Sequence, residues 1–380
     1  KYFTTMTSTS GTGGIYKETP WIDAWIRWER DSKDVIVDDE QDEDDHPDPP
    51  TETFCFEYRW EHDHDDCDYC CNSTMNESKE ETMTTTTRTA SSCTLTLKGF
   101  PSESEAIWNS TGLTLWPCSH YLCEYLCDNL AQIVSLPTIK THSDAMTNNN
   151  ITVVELGSGL GRCGLLVYHL LQSSFNRYYT SINKRHDSTT STAAPNCHVY
   201  LTDGDTDTLF QLRTNVAENT ARKGIETKGE EPQGHGISCH QLLWGDETTR
   251  TFCKRHRLCA TNKHVADCED ATNDEEDYKE NSGIDLVLGS DLIYVPHVIE
   301  PLFQTVSVLL GQNESSNCIL GETAARRKPI FLMAHSDRRE GSSVTLDMVL
   351  EGAKAAGLET NIVREEPGEG IYIISCSYPQ

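Results

Sequence analysis

An α/β fold with a doubly wound, mainly parallel sheet is predicted by three observations. Short apolar runs rich in branched residues alternate with helical patterns through the second half of the chain. The clearest of these runs, Ile151 to Val154, ends in an acid and a glycine-dense turn that opens a helix. Three later runs end at Asp203, Trp244 and Ser290-Asp291, so polar and aromatic groups collect at successive strand ends. Strand–helix alternation imposes right-handed crossovers, and ligands then sit at the carboxyl ends of the strands.

The 380 residues hold 60 acids against 31 Lys and Arg, a formal charge of −29. That balance argues against general nucleic-acid binding, which needs a basic face. It favours encounter with a basic partner at low salt. Part of the acid lies in blocks, 38–45 and 274–277, which read as solvated segments. Sixteen cysteines show no regular framework, so a reducing compartment is expected: the cytoplasm, with the nucleus as the alternative. No apolar run of roughly 18 residues occurs, so no membrane span is predicted. The chain starts at Lys1 rather than methionine, and the true N-terminus with any targeting signal is expected to lie ahead of it.

Residues 1–92 read as a polar, acidic extension with a Ser/Thr-rich linker over 72–92. Residues 93–380 read as the folded domain, with polar insertions near 173–195 and 247–282. Inside the extension, Trp21, Trp25 and Trp28 share one helical face, either docked on the domain or anchoring a partner. Phe54 to Trp60 alternates like a strand, with Cys93 to Leu97 as its candidate partner. Between them, Cys67 and Cys70 follow His62 and His64 at zinc-ligand spacing, but no second Cys-x-x-Cys completes the set. Incidental thiols are the favoured reading, and no metal site is assigned.

The domain opens with Leu115-Trp116-Pro117, and apolar spacing from His120 to Cys127 then predicts a helix with Pro117 as its start signal. Trp116 stands at that junction, either lining a cavity or filling the core. After the first strand comes a helix through Leu165 to Leu171, then a strand at 198–203 and a helix at 205–219 with Leu209, Leu212 and Val216 on one face. Strands follow at 237–243, 284–291 and 329–335, helices at 295–310 and 342–356, and two closing strands near 359–364 and 370–377.

The glycine turn supports two chemistries. Gly159-x-Gly161-x-x-Gly164 satisfies a dinucleotide fingerprint, in which a pyrophosphate rests on the helix N-terminus. Yet Glu155 stands two residues before Gly157, and a carboxylate there suits a cationic, ribose-bearing ligand such as S-adenosylmethionine. A turn that only connects is the structural alternative. Asp203 is placed to accept hydrogen bonds from ribose hydroxyls, and Trp244 to cover an adenine ring.

These motifs, in this order, resemble the class I, seven-β-strand S-adenosylmethionine-dependent methyltransferases. More narrowly they resemble the protein-lysine methyltransferase group that includes the calmodulin-lysine and elongation-factor-2-lysine enzymes. The likeness spans about 110 to 310. It is carried by Leu115-Trp116-Pro117 with Glu124-Tyr125-Leu126, Val154 to Gly161, Leu201 to Asp205, Leu243-Trp244-Gly245-Asp246, and Asp285 to Tyr294. It implies a Rossmann-like sheet in the order 3-2-1-4-5-7-6 with the last strand antiparallel. Trp116 would flank the cofactor, Glu155, Gly157 and Gly159 would hold its methionine end, and Ser290 would line the pocket. Asp203 and Trp244 would take the ribose and the adenine. Asp291 and Tyr294, an Asp-x-x-Tyr element, would stand beside the acceptor amine; a cap on the helix beginning at Val295 is the structural alternative for Asp291. The absence of Asn-Pro-Pro-Tyr disfavours methylation of adenine or glutamine amino groups. The implied activity is methyl transfer from S-adenosylmethionine to a protein lysine by a monomer that uses neither nucleic acid nor membrane. A histidine, small-molecule or RNA acceptor, an NAD-dependent oxidoreductase and a non-catalytic scaffold are the alternatives. His335, Asp337 and Arg338 point to the site rim by topology, without assigned roles.

Overall fold

Residues Ile151–Leu156 form the middle strand of the molecule, and every one of them is buried. A strand with no solvated face is dominated by apolar and β-branched residues, here interrupted only by Thr152 and Glu155, which is why this segment was the strongest in the sequence. The computed structural model describes residues 7–8, 52–61, 90–102, 104, 110–134, 150–185, 197–221, 235–258, 283–311, 328–337 and 343–379. The tryptophan segment 21–28, Cys67, Cys70, both acidic blocks and Arg338 lie outside these residues.

The described elements run β1 (Glu52–Glu61), β2 (Ala90–Gly99), α1 (Cys118–Ile133), β3 (Ile151–Leu156), α2 (Arg162–Arg185), β4 (Cys197–Asp203), α3 (Thr206–Thr220) and β5 (His235–Gln241). They continue with α4 (Asp246–Arg255), β6 (Leu286–Ser290), α5 (Ile299–Gly311), β7 (Ile330–Ser336), α6 (Leu346–Ala355), β8 (Glu359–Glu366) and β9 (Ile371–Ser377). The main sheet has the order β5-β4-β3-β6-β7-β9-β8. Counted along the chain, its seven strands stand 3-2-1-4-5-7-6. Pairing is parallel from β5 through β7, and β9 is antiparallel to both of its neighbours.

Alternate residues of β3 enter two cores, as a period of two requires. Ile151 and Val153 join Leu122 and Leu126 of α1, Leu165 and Leu166 of α2, and Leu209 and Leu212 of α3. Val154 and Leu156 join Phe252 of α4, Leu302 and Phe303 of α5, and Val349 of α6. Three helices on each face make the sheet doubly wound, as expected. Among the described residues, no helix is long and apolar enough to cross a membrane.

Outside α1, α2 and α3 lies a hairpin. β1 and β2 pair antiparallel, with Phe56 opposite Leu95 and Tyr58 opposite Cys93. Phe56, Tyr58, Trp60, Leu95 and Leu97 are buried beneath it. Two asparagines of α3, one turn apart, bind the free edge of β2. Asn215 Oδ1 accepts from Lys98 N at 2.9 Å, and its Nδ2 donates to Lys98 O at 3.1 Å. Asn219 does the same at Thr96, at 2.8 and 2.7 Å. Residues 7–8 pair antiparallel with β1 on the opposite edge; on this edge carboxamides take the place of a further strand and satisfy backbone groups that would otherwise face apolar surface.

The hairpin straddles the boundary expected at 92/93, so the unit that folds with the sheet includes residues 52–61. The pairing of Phe54 to Trp60 with Cys93 to Leu97 is the one expected, but periodicity in a strand cannot report what its buried face rests on. Two expected insertions also shrink. α2 continues to Arg185 rather than giving way to an insertion at 173, because Phe175, four residues after Leu171, is buried on the same face. α4 occupies the start of the expected 247–282 insertion, with Thr249, Phe252 and Cys253 buried at helical spacing.

Candidate functional site

The turn after β3 is built from positive-φ glycines. Gly157, Gly159 and Gly161 have φ of 55°, 52° and 88°, a region that side chains disfavour. Space is a second constraint at Gly157, where a Cβ would stand 2.7 Å from Leu292 Cδ2 and 3.6 Å from Trp244 Cζ2. The indole of Trp244 therefore lies against the loop. Ser158 ties the turn to the neighbouring strand: its N–H donates to Thr202 O at 2.8 Å, and its hydroxyl accepts from Thr202 N at 3.0 Å.

A pocket opens beside this turn. Its lining includes Leu115, Trp116 and Ser119 ahead of and within α1, Glu155, Gly157 and Gly159 at the end of β3, Arg162 and Cys163 at the start of α2, and Ser290 at the end of β6. Five expected site residues, Trp116, Glu155, Gly157, Gly159 and Ser290, thus meet around one space. Trp116 is half-buried and fixed by its indole N–H, which donates to Thr111 O at 2.8 Å.

Glu155 is 2% exposed, and its Oε2 accepts from Gly164 N at 3.1 Å. Burial pushes its pKa up to about 8, against the hydrogen bonds that favour the carboxylate. Gly164 leaves room for this arrangement, because a Cβ there would come within 2.5 Å of that oxygen and 2.1 Å of Leu201 Cδ2. Asp203, at the end of β4, accepts from Gly159 N and Asp205 N, each at 3.1 Å. Burial raises its pKa as well, opposed by those backbone donors. Two acids that burial disfavours as anions flank the loop, and a cationic ligand with hydroxyl donors would relieve both.

The same contacts weigh on the dinucleotide reading. A pyrophosphate needs the N-terminal N–H groups of the helix after the glycine turn. Here the Gly164 N–H already serves a carboxylate, and the spaces at Gly161 and Gly164 are filled by Leu212, Leu201 and Glu155. An anion would meet an acid. The residues present fit S-adenosylmethionine better: a glycine cradle that a Cβ would fill, acids on both sides and two indoles at its edges.

Asp291 is buried, with a φ of 55°, a left-handed conformation that aspartate tolerates better than most residues. Its Oδ2 accepts from Cys118 N at 2.8 Å, and its N–H donates to Ala334 O at 3.0 Å. The carboxylate therefore caps α1 and not the segment at Val295, which begins as a 3-10 turn with no side-chain cap. It holds in place the chain that has just supplied Trp116. Tyr294 follows half-buried. His335 is buried within the sheet, and Asp337 Oδ1 accepts from Leu346 N at 2.7 Å, fixing the entry to α6.

Arg162 was not singled out in the sequence. It lies inside the motif, is buried, and stands over the Phe56 ring at 3.8 Å. Its Nε donates to Tyr58 Oη at 2.7 Å, Nη1 to Ser119 Oγ at 3.3 Å, and Nη2 contacts His120 Nδ1 at 3.2 Å. One guanidinium thus joins the hairpin, α1 and the pocket wall. Only its place between Gly161 and Gly164 could have drawn attention to it.

With this geometry in view, less than half of the chain matches a known family. Residues 102–268 match the lysine methyltransferase family. The matched stretch runs from ahead of α1 past α4, and so contains the glycine loop, Asp203 and Trp244. Protein-lysine N-methyltransferase EFM3 of Saccharomyces cerevisiae is 21% identical over 239 residues, covering 63% of this chain and 52% of that protein. The chain thus spans about half the length of the curated relative it matches. Among solved structures, a TehB-like S-adenosylmethionine-dependent methyltransferase from Corynebacterium glutamicum matches at 11% identity and a TM-score of 0.29, over 69% of this chain and 98% of that one. An S-adenosylmethionine-dependent methyltransferase from Aquifex aeolicus matches at 9% identity and 0.28, over 60% and 81%. The fold itself is carried by the strand order, 3-2-1-4-5-7-6 with the last strand antiparallel, which is the order the resemblance implied.

Proposed function

We propose that this chain is an S-adenosylmethionine-dependent methyltransferase that acts on a protein, with a lysine side-chain amine as acceptor. The observation that carries the proposal is the pocket with its positive-φ glycine cradle: Glu155, buried, and Trp116 stand in its wall, while Asp203 accepts from Gly159 N and Trp244 lies against Gly157. The lysine methyltransferase match over 102–268 supports the acceptor. The yeast relative is, by its name, a protein-lysine N-methyltransferase, and the same class of substrate is proposed here.

The cofactor would supply a methyl group on a sulfonium. Glu155, with Gly157 and Gly159, would hold the methionine end, and the carboxylate would ionise as positive charge enters. Asp203 would hold the ribose and Trp244 the adenine, while Trp116 and Ser290 would wall the reacting end. Transfer to an amine is an in-line displacement that depends chiefly on positioning. The acceptor lysine must arrive neutral, which an apolar wall favours by disfavouring the ammonium. Asp291 and Tyr294 would flank that amine; Asp291 also sets the wall, since its hold on Cys118 N fixes the end of the Trp116 segment.

The charge of −29 favours a basic protein substrate during encounter. A cytoplasmic monomer is the setting proposed for this activity. Transfer of labelled methyl from S-adenosylmethionine to lysine-bearing proteins, with acid hydrolysis and amino-acid analysis, tests the reading. Label on N-methyl-lysine is the expected result; label confined to histidine or to small molecules would overturn the acceptor.

A further inference from the structure

We propose that Cys123 and Cys163 form an oxidisable thiol pair, a modification site in the wall of the glycine-loop pocket, which hydrogen peroxide converts to a disulfide. The two sulfurs face each other at 3.7 Å across the contact between α1 and the start of α2. Both thiols are free and buried. A disulfide needs the sulfurs to close to about 2.05 Å, a small movement for two helices already in contact. Cys163 also lines the pocket, with its sulfur 3.9 Å from Ser290 Oγ and 3.7 Å from Ser119 O. A small oxidant in the pocket therefore meets that sulfur first.

The surroundings favour a thiolate on the pair. Arg162, next in sequence, is a buried cation beside it. Burial opposes ionisation of Cys123, but its hydrogen bond with Cys163 and the charge of Arg162 hold its pKa below the ordinary value. The hydrogen bond with Cys123 and burial push Cys163 up, so the first proton the pair loses leaves Cys123. Cys93 differs: burial pushes it up to about 12, and it does not line the pocket.

Cys163, which faces the pocket, passes its proton to the Cys123 thiolate as its own sulfur attacks one peroxide oxygen. An S–O bond forms, the O–O bond breaks, and hydroxide leaves, becoming water with the proton the pair had released. The Cys163 sulfur gives two electrons to the peroxide. Cys123 then attacks the sulfenic sulfur: the S–S bond forms, the S–O bond breaks, and the leaving hydroxide carries off the Cys123 proton as water. Two thiols and one peroxide yield one disulfide and two waters.

The pairing and its chemistry stand independently of the proposed function; only the choice of protecting ligand rests on it. The full chain is reduced, freed of reductant, exposed to hydrogen peroxide and trapped with N-ethylmaleimide in denaturant. Digestion and fragmentation then locate the linked peptides. The expected product joins Cys123 to Cys163 and is lighter than the two reduced peptides by two hydrogens. Cys123→Ser and Cys163→Ser each abolish that product, whereas Cys127→Ser retains it. Saturating S-adenosylhomocysteine, its binding verified by calorimetry, slows the linkage several-fold by covering Cys163. Failure of the 123–163 link to form in free wild-type protein would overturn the inference. So would an undiminished rate with the ligand shown to be bound. If S-adenosylhomocysteine does not bind at all, the cofactor reading fails, and the peptide map of the free protein still decides the thiol pair.

Discussion

The glycine loop and the β1–β2 hairpin both meet side chains of α2 and α3 but are held in opposite ways. The loop is specified locally: three positive-φ glycines within five residues, an acid just ahead and a helix just behind. The hairpin is specified at long range, by Asn215, Asn219 and Arg162, which lie more than a hundred residues further along the chain. Local geometry is fixed by residue type, whereas long-range docking depends on which side chains happen to meet. The hairpin should therefore fail through loss of single polar contacts, and the loop through loss of space.

The largest expected effect comes at Asn215, which is fully buried and serves Lys98 N, Lys98 O and Leu160 O together. Asn215→Ala strands those groups and should cost about 3 kcal/mol, given about 1–3 kcal/mol for each buried group left unmatched. Denaturant unfolding measures it. Asn219→Ala, half-exposed, should cost about 1 kcal/mol. Equal costs at the two positions would mean that the tie to the glycine loop through Leu160 carries no weight.

Gly164→Ala tests the other half of the comparison. Its Cβ would meet Leu201 and Glu155, and overpacking of this kind costs about 2 kcal/mol. Because the displaced group is Glu155, cofactor affinity should fall with stability. A variant of full stability and affinity would show that the loop has slack the geometry denies.

Next in size is Asp203→Ala. Loss of a carboxylate that accepts charge-assisted hydrogen bonds should weaken S-adenosylmethionine binding about tenfold, near 1.5 kcal/mol. Unchanged affinity in a titration would remove Asp203 from the site.

How far the sequence could be read follows from the same contrast. The parallel strands and the paired cores were legible because β3 and β6 carry their burial in consecutive residues and β4 carries it at alternate ones, Cys197, Val199 and Leu201. Gly157, Gly159 and Glu155 were legible because a turn of that shape admits few other residues. Arg162 was not, since an arginine next to a glycine motif reads as surface until Phe56 and Tyr58 are seen around it. Asp291 was read as a possible cap for its own downstream segment. Its partner is Cys118 N, far back in the chain, and no spacing rule could have supplied that pairing.

The smallest expected effect lies on the far face of the sheet. His198 and His240 both hydrogen-bond Ser238 Oγ, at 2.9 and 2.8 Å, and the rings of His240 and His256 lie 4.1 Å apart. Tyr200 faces all three rings, and Arg213 and Arg255 add positive charge nearby. Burial and those cations depress the His240 pKa to about 4. The unfolded imidazole titrates near 6.5, so between those values the unfolded chain binds more protons. Stability should be complete above about pH 6.5 and decline as pH falls toward 4. Thermal melts of wild type and His240→Gln across that window should converge at low pH; parallel curves would remove the cluster from the acid response.

Calorimetric titration of the full chain with S-adenosylmethionine, run near neutral pH in two buffers of different ionisation heat and repeated with NAD, tests the central claim most directly. The pocket should bind S-adenosylmethionine at one site and release a proton, because Glu155, held near pKa 8 when the pocket is empty, ionises as a cation enters. The measured heat should therefore change with the buffer, and NAD should give none. Saturable heat with NAD and none with S-adenosylmethionine would contradict the account, and the roles given to Glu155, Asp203 and Trp244 would fall together.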